Sequence, residues 1–196
     1  MVIVSKARVK EDEKIAVKGL RRADAFSRMA VVAALRASEA AGADIKSYTD
    51  TLGIIVATRL GPHATTFGFL DGILDFSEAE ASPTAFSHSV HNAAASYISI
   101  ALGCQGPTIT VTSFETPFKE AMLLAESWLR EGRVRHVLAV YVEERSRPMD
   151  YIHEKTGMPA YGRGEDKSGA YALLLTREGA GEEVDFEYYN VSPLAM

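Results

Sequence analysis

The sequence predicts an α/β fold with a largely parallel sheet. Short apolar runs alternate with longer helical patterns along most of the chain, which is typical of strands joined by helices. Several of these runs are apolar at almost every position, as in strands that helices cover on both faces. The chain has 196 residues, 47% of them hydrophobic and 24% charged, and its sequence contains no linker or repeat. We therefore expect one domain over residues 1–196.

The first part of the chain is interpreted as strand, loop, helix and strand. Residues 1–10 alternate weakly and predict a strand, and residues 11–19 predict a loop. Over Asp24–Ala41, large apolar residues recur every three positions with alanines between them. This pattern predicts a helix packed on both sides, which Gly42 ends. Leu52–Thr58 is nearly continuous in apolar residues and predicts a central strand.

The middle of the chain is interpreted as mainly helical. Thr65–Phe76 and Val90–Leu102 are rich in apolar residues and predict two helices. Residues 77–89 between them are small and polar and include a proline, which predicts a loop. Thr108–Thr112 predicts a short strand, and Phe118–Glu131 has one apolar face and predicts a helix.

The last part of the chain predicts two strong strands. Val134–Val142 and Gly169–Thr176 are strongly apolar, and we expect them to be antiparallel neighbours. The segment Glu143–Lys167 between them is charged and contains prolines and glycines, which predicts a loop. Residues 178–196 are acidic and then mixed, and alternate positions of 184–188 are apolar, which predicts a weak strand.

Composition and motifs exclude several classes of protein. The net charge is −5 and the isoelectric point is about 5.6, so we expect no broad basic face for nucleic acid. Cys104 is the only cysteine, which excludes an internal disulfide and a cysteine zinc site. No apolar run is long enough for a membrane span or a secretory leader, which favours a cytoplasmic protein. The sequence has no phosphate-binding loop, dinucleotide motif or Gly-x-Ser-x-Gly elbow, and we expect no cofactor.

The histidines and acidic residues suggest little chemistry by themselves. His88 and His91 are three residues apart and could share a helix face as metal ligands, but no further ligand lies at a useful spacing. We interpret His91 as a packed or capping histidine and expect no metal site. Two charged groups are interpreted as solvated surface: Asp71, Asp75, Glu78 and Glu80 in one, and Glu143, Glu144, Arg145 and Arg147 in the other.

The order of several motifs resembles one known family. Ser89–Ala95 reads Ser-Val-His-Asn-Ala-Ala-Ala, and Gly106–Thr108 introduces a strand that leads into a helix. Upstream, residues 22–26 resemble the opening of the family's first long helix, and Leu52–Gly61 resembles the strand and glycine-rich turn that follow. Residues 20–178 together resemble the N-terminal half of β-ketoacyl synthases. The similarity is greatest to the branch of aryl-polyene-type synthases and chain-length-factor-like subunits.

This resemblance implies a fold and a position for the active site. The fold would be a thiolase-like half, with a mostly parallel five-stranded sheet and helices on both faces. The family carries a nucleophilic cysteine at the turn from a strand into a helix, and alignment of the flanking segments places Glu115 there. We therefore take Glu115 as the candidate catalytic residue. The neighbouring binding candidates are Ser113, Phe114, Thr116, His91 and Asn92.

The same comparison implies that the chain is catalytically degenerate. The family's two catalytic histidines come from its C-terminal half, and no histidine of this chain lies in those motifs. The side that the second half normally covers needs a tail, a homodimer or another subunit. The family's dimer interface is built around the strand that corresponds to Thr108–Thr112, which makes a homodimer or a heterodimer with a ketosynthase plausible. An acyl carrier protein is a further candidate partner.

Three functions follow from these observations. The first is a non-catalytic subunit, or an acyl- or carrier-binding partner, in fatty acid or polyketide-type biosynthesis. The second is a residual malonyl-carrier decarboxylase or acyl hydrolase that uses Glu115 as its catalytic group. The third is a scaffold repurposed for binding a small ligand, because a fold does not fix a function.

Overall fold

The computed structural model describes residues 1–13, 19–42, 49–157, 168–190 and 193–194. Within these residues the strands are β1 (Val2–Lys10), β2 (Leu52–Thr58), β3 (Thr108–Thr112), β4 (His136–Glu143), β5 (Gly169–Thr176) and β6 (Glu182–Glu183). The α-helices are α1 (Ala25–Ala40), α2 (His63–Phe76), α3 (Pro83–Ser89), α4 (Ala93–Leu102), α5 (Pro117–Arg130) and α6 (Arg147–Thr156). Short 3-10 segments lie at Thr49–Thr51, Glu78–Glu80 and Phe186–Asn190.

The strands form one mixed sheet in the order β3-β2-β4-β5-β1-β6. β2 runs parallel to β3 and β4, whereas β4–β5, β5–β1 and β1–β6 are antiparallel. The α/β class and the antiparallel pairing of the two strong C-terminal strands are confirmed. The expected sheet of five mostly parallel strands is corrected to six strands of mixed direction. Apolar periodicity shows that a strand is buried but not which way it runs, so the sequence could not settle this.

Helices cover both faces of the sheet, as predicted. On one face α1 and α4 pack against β2, β4 and β5. Phe26, Val31 and Ile98 of these helices are completely buried. On the other face α5 packs against alternate residues of the same strands. Gly53 allows this close packing, since a Cβ atom there would lie 2.9 Å from the ring of Trp128 on α5.

Two predicted loops contain helices. Segment 77–89 holds α3, which begins after the N-cap Ser82 and has proline in its first turn. Segment 143–167 holds α6, whose N-cap Ser146 accepts a hydrogen bond from the N–H of Met149. A serine followed closely by proline was the available signal at both places. Part of the second predicted loop, residues 158–167, lies outside the described residues.

The remaining boundaries differ by smaller amounts. The predicted helix over Val90–Leu102 begins at Ala93, because Val90 is extended and ends α3. The weak strand predicted over 184–188 is wrong: the chain forms β6 just before it and then a 3-10 turn over Phe186–Asn190. Val184 and Phe186 instead pack against the core cluster around α5, and Tyr188 is exposed.

The tail packs on the same face of the sheet as α5 and shares a core cluster with it. Tyr189 and Leu194 are 3% and 1% exposed and belong to the core cluster around α5. The ring of Phe118 on α5 meets Tyr141, Tyr171 and Tyr189 edge-on at 5.9, 5.9 and 5.3 Å.

Candidate functional site

The candidate site lies where the carboxyl ends of three neighbouring parallel strands meet. β2 ends at Thr58 and leads into Arg59, β3 leads through a short turn to Glu115, and β4 ends at Glu143. The carboxyl edge of parallel strands is where α/β proteins place ligand and catalytic groups. The sheet therefore brings one cation and two carboxylates to one edge.

The turn from β3 into α5 carries most of the predicted site residues. Ser113 and Thr116 are partly buried, whereas Phe114 and Glu115 are exposed, with 78% of Phe114 accessible to water. Thr116 is the N-cap of α5 but its side chain makes no capping hydrogen bond, and Pro117 occupies the first turn. The free N–H groups and the helix dipole make this terminus attractive for negative charge.

The side chain of Arg59 binds the backbone of this turn. Its side chain is almost completely buried, with only 9% of the residue exposed. Nε donates to the carbonyl oxygen of Phe114 at 2.8 Å, and Nη2 donates to the carbonyl oxygen of Glu115 at 3.3 Å. Because arginine stays charged when buried, these are charge-assisted hydrogen bonds. Arg59 therefore fixes the backbone that presents Phe114 and Glu115.

Glu143 lies beneath Arg59 and is 1% exposed. Its Oε1 accepts a hydrogen bond from the backbone N–H of Arg59. Burial raises the pKa of this carboxyl to about 7, although the hydrogen bond from Arg59 and its positive charge oppose the shift. Glu143 thus links the end of β4 to the residue that positions the turn.

Glu144 has a second, separate task at the start of α2. Its Oε1 accepts a hydrogen bond from the N–H of Ala64 at 2.8 Å, in the first turn of that helix. Burial raises the pKa of Glu144 to about 8. His63 lies 3.9 Å away, measured from Nδ1 to Oε1, but burial lowers the pKa of His63 and its Nδ1 lies closer to the carbonyl oxygen of Gly61, at 3.0 Å. We therefore treat the contact as one with a neutral histidine rather than an ion pair.

The sequence analysis missed this layer of the site. It interpreted Glu143 and Glu144 as solvated surface charges, which is wrong, since they are 1% and 3% exposed. The neighbouring Arg145 and Arg147 are exposed, as predicted. The missed signal was position: acids that directly follow a fully apolar strand lie at its carboxyl end, where they cannot all reach water.

His91 and Asn92 lie beside the outer edge of β3 rather than at the turn. They line a shallow groove of about 440 Å³ with Thr108, Ile109, Thr110 and Thr112. The ring of His91 packs over Gly61, since a Cβ atom there would come within 2.5 Å of it. His91 is nevertheless exposed, and the N-cap of α4 is Asn92, so the interpretation of His91 as a packed or capping histidine is not supported. The binding candidates separate into a turn group and an edge group.

The two histidines considered as metal ligands do not share a helix face. His88 is in α3 and its Nε2 lies 2.8 Å from the hydroxyl oxygen of Tyr97, whereas His91 follows the end of that helix. Over the described ranges, no group of three or more potential ligand side chains could hold a metal ion. Likewise, none of the helices in the described residues is long and apolar enough to cross a membrane.

Cys104 is poorly placed to act as a nucleophile in this conformation. It is buried, and its thiol donates to the carbonyl oxygen of Leu52 at 3.1 Å. Burial raises the pKa of the thiol, which disfavours the reactive thiolate. Of the two exposed side chains in the strand-to-helix turn, Phe114 and Glu115, only Glu115 carries an ionisable group.

The mixed sheet, the two helical layers and the strand-to-helix turn define a thiolase-like α/β domain. Residues 8–192 match the family described as "Beta-ketoacyl synthase, N-terminal domain", and the chain belongs to this family. The resemblance found in the sequence is thereby confirmed. No curated protein matches the chain.

Solved structures share this fold at low sequence identity. One match is a chain in the complex of the ketosynthase ApeO with its chain length factor ApeC from Xenorhabdus doucetiae, with 20% identity and a TM-score of 0.70 over 92% of this chain and 81% of that chain. The complex AntDE:AntF, a ketosynthase with its acyl-carrier protein, gives 17% identity and a TM-score of 0.75 over 89% and 62%. The ishigamide ketosynthase/chain length factor gives 19% identity and a TM-score of 0.70 over 86% and 48%. The chain thus spans less than two thirds of the chains matched in the last two.

Proposed function

We propose that this protein is a non-catalytic β-ketoacyl-synthase-like subunit that pairs with a ketosynthase in fatty acid or polyketide-type biosynthesis. The observation that carries the proposal is the exposed Glu115 at the strand-to-helix turn, where the family resemblance puts the nucleophile. A carboxylate is a poorer acyl acceptor than a thiolate, and the one thiol of the chain is buried elsewhere.

The outer edge of β3 supports a pairing surface. β3 lies at the end of the strand order, and among the described residues it pairs with β2 alone, so its second edge is open there. The N–H of Ile54 donates to the carbonyl oxygen of Pro107 at 2.9 Å. Because the backbone N–H and C=O groups of successive residues point to opposite edges of a strand, those of Thr108, Thr110 and Thr112 point away from β2. An open edge of this kind accepts a strand from another chain.

The exposed side chains around this edge have the character of an interface. Ile109 on β3, Phe114 in the turn and Ile100 on α4 are 42%, 78% and 78% exposed. Large apolar side chains grouped beside an open strand mark an association site more often than an isolated exposed residue does. The solved structures named above as complexes agree with this proposal, since one pairs a ketosynthase with its chain length factor and another pairs a ketosynthase with its acyl-carrier protein.

The pairing is tested with Thr110→Pro. Proline removes an N–H that faces away from β2 and leaves the β2–β3 hydrogen bonds in place. We expect the variant to lose association with a ketosynthase of the same organism, measured by light scattering after co-expression. Thr110→Val is the matched control, because it keeps the N–H and the shape, and it should bind like the parent. Equal binding by the proline variant would place the interface elsewhere.

The non-catalytic assignment is tested separately by intact mass. The protein is mixed with malonyl- and acyl-loaded carrier protein, and we expect neither loss of carbon dioxide nor an acyl adduct. Turnover that disappears in Glu115→Ala would overturn the assignment and favour the residual decarboxylase or hydrolase. Glu115→Gln tests whether any turnover needs the negative charge of this side chain, because the variant keeps the shape of the side chain and removes the charge.

A further inference from the structure

The segment between Arg59 and Lys119 contains no lysine or arginine, although the chain has 21 of them. This segment forms α2, α3, α4 and β3 and the connections between them. Its exposed charges on and after α2 are all negative: Asp71, Asp75 and Glu78. No cation from within the segment can neutralise them.

The same segment holds most of the exposed apolar surface. It contributes eight of the thirteen large hydrophobic side chains that are exposed in the described residues. On α2, Leu70 and Leu74 lie four residues apart and are 46% and 83% exposed, and Phe76 follows at 67%. Phe86 of α3 is 57% exposed and packs against Phe69 at 5.6 Å.

These side chains define one surface, which we call the hairpin face. It consists of Leu70, Asp71, Leu74, Asp75, Phe76, Glu78 and Phe86. Leucine and phenylalanine provide the apolar area that an interface centre needs, and the acids between and beside them set its electrostatic sign. The spacing of Leu70–Leu74 and Asp71–Asp75 puts an apolar row directly beside an acidic row on α2.

The hairpin face is unsuited to a second copy of itself. A two-fold interface places the same patch of both subunits together. Two hairpin faces would then bring only negative charges to a buried boundary, with no lysine or arginine to pair with them. Like charges at an interface suppress association, and opposite charges favour it. The face therefore selects a different molecule.

We propose that the hairpin face docks a second, different protein whose contact surface has apolar side chains surrounded by lysine and arginine. The proposal deepens the proposed function. It rests on that function in one respect: the protein that docks on the hairpin face is the ketosynthase. It further requires that the association weakens as salt is added, because exposed charge pairs are screened.

A first experiment needs no knowledge of the natural partner. The probe is a fluorescent amphipathic peptide of leucine and lysine, helical when bound, and its affinity for the full chain is measured by anisotropy. We expect binding that weakens with added sodium chloride. The variant Asp71→Asn/Asp75→Asn/Glu78→Gln should weaken it about tenfold, since each rim charge contributes modestly. Leu74→Ser should weaken it as well.

The matched control removes the same number of charges elsewhere. Glu178→Gln/Glu183→Gln/Asp185→Asn neutralises three exposed acids near β6 and should leave the affinity unchanged. Equal weakening by this control would show that the peptide senses net charge only, and the proposal would fail. Absence of peptide binding would sink it too.

The same variants then separate this proposal from the proposed function. If a ketosynthase binds and the Asp71/Asp75/Glu78 variant binds it as well as the parent does, the hairpin face is not used and the subunit assignment stands. If the peptide binds at the hairpin face but no ketosynthase of the organism binds, the assignment of the partner fails and the docking surface stands. A stable dimer of the parent alone that Leu74→Ser dissolves would contradict the selection against self-association.

Discussion

Helices α2 and α5 both begin at the carboxyl end of a parallel strand, yet their surroundings differ completely. α5 buries Phe118, Met122 and Trp128, and its outer side carries charged residues such as Glu120 and Arg130. On α2 only His63 is buried, although half of the residues of this helix are apolar. One helix matches its environment and the other does not.

The difference shows which of the two helices is packed against other parts of the chain. The chain's own tail packs beside α5 in the same core cluster, and Lys119 on α5 donates a hydrogen bond to Asn190 of that tail at 2.7 Å. The hairpin face has no such cover within the described residues. Burying apolar area stabilises by about 25 cal/mol per Å², so an uncovered Leu74 or Phe76 represents stabilisation that only another molecule can supply.

The largest expected effect separates the two faces by stability. Phe118→Ala removes the ring that three tyrosines contact, and we expect a loss of about 3–5 kcal/mol in the free energy of unfolding. Phe76→Ala deletes the same atoms from the exposed face and should change it by less than about 0.5 kcal/mol. Urea unfolding of both variants tests the comparison. Similar losses would mean that the hairpin face is already packed in solution.

The next effect concerns the junction between the two faces. Arg59→Gln removes the charge and the hydrogen bonds that hold the carbonyl oxygens of Phe114 and Glu115, which we expect to cost about 2 kcal/mol. Arg59→Lys should recover only part of this, because lysine cannot reproduce the planar donor arrangement. Urea unfolding gives the cost, and hydrogen exchange at the amides of Glu115, Thr116 and Phe118 checks that the turn loosens locally. Full recovery by lysine would argue for charge alone.

A pH-dependent effect sharpens the role of Glu144 in fixing α2 to the sheet. Its folded pKa of about 8 lies above the ordinary value of 4.5. The folded state therefore holds the proton more tightly, and this carboxyl's contribution to stability is present below about pH 4.5 and lost as pH rises toward 8. Glu144→Gln should match the parent near pH 5 and exceed it by about 2 kcal/mol near pH 9.

Urea unfolding of the parent and Glu144→Gln across that pH range measures this difference. Comparing variant with parent cancels the opposite dependence of His63, whose pKa is lowered by burial. Glu154→Gln, an exposed site on α6, is the control and should show no pH-dependent gain. A constant difference at all pH values would mean that Glu144 is ionised in the folded state throughout.

The smallest effect concerns the accessibility of Cys104, which tests how tightly α4 is packed in the native protein. Cys104 follows α4 and is buried, with a raised pKa. We expect no adduct when the native protein is treated with iodoacetamide at neutral pH, and one adduct per chain in urea, both read by intact mass. Rapid modification of the native protein would show that α4 opens, and it would reopen the question of a reactive thiol.

The parts of the fold that could be predicted are those set by local pattern. Leu52–Thr58 and Gly169–Thr176 match β2 and β5 residue for residue, since buried apolar runs bounded by polar residues are unambiguous. α1 and α5 were predicted to within a residue at each end for the same reason. α3 and α6 were missed because their helical signal lies in the caps at Ser82 and Ser146 rather than in apolar periodicity.

The site divides in the same way. Glu115 could be placed because the flanking motifs align on both sides, and the structure puts it in the expected strand-to-helix turn. Arg59, Glu143 and Glu144 could not, because their burial depends on which strands become neighbours in the sheet. Adjacency of β2 and β4 is a property of the whole chain, and no local pattern in the sequence encodes it.

The open edge of β3 has a consequence for the steady-state abundance of this protein in a cell. All five residues of Thr108–Thr112 are β-branched, and none is charged or a proline. Unprotected edges of this composition recruit strands from other molecules and seed aggregates. If the protein pairs as proposed, chain made in excess of its partner is expected to be lost to aggregation or degradation. The supply of the partner would then set the steady level of the protein.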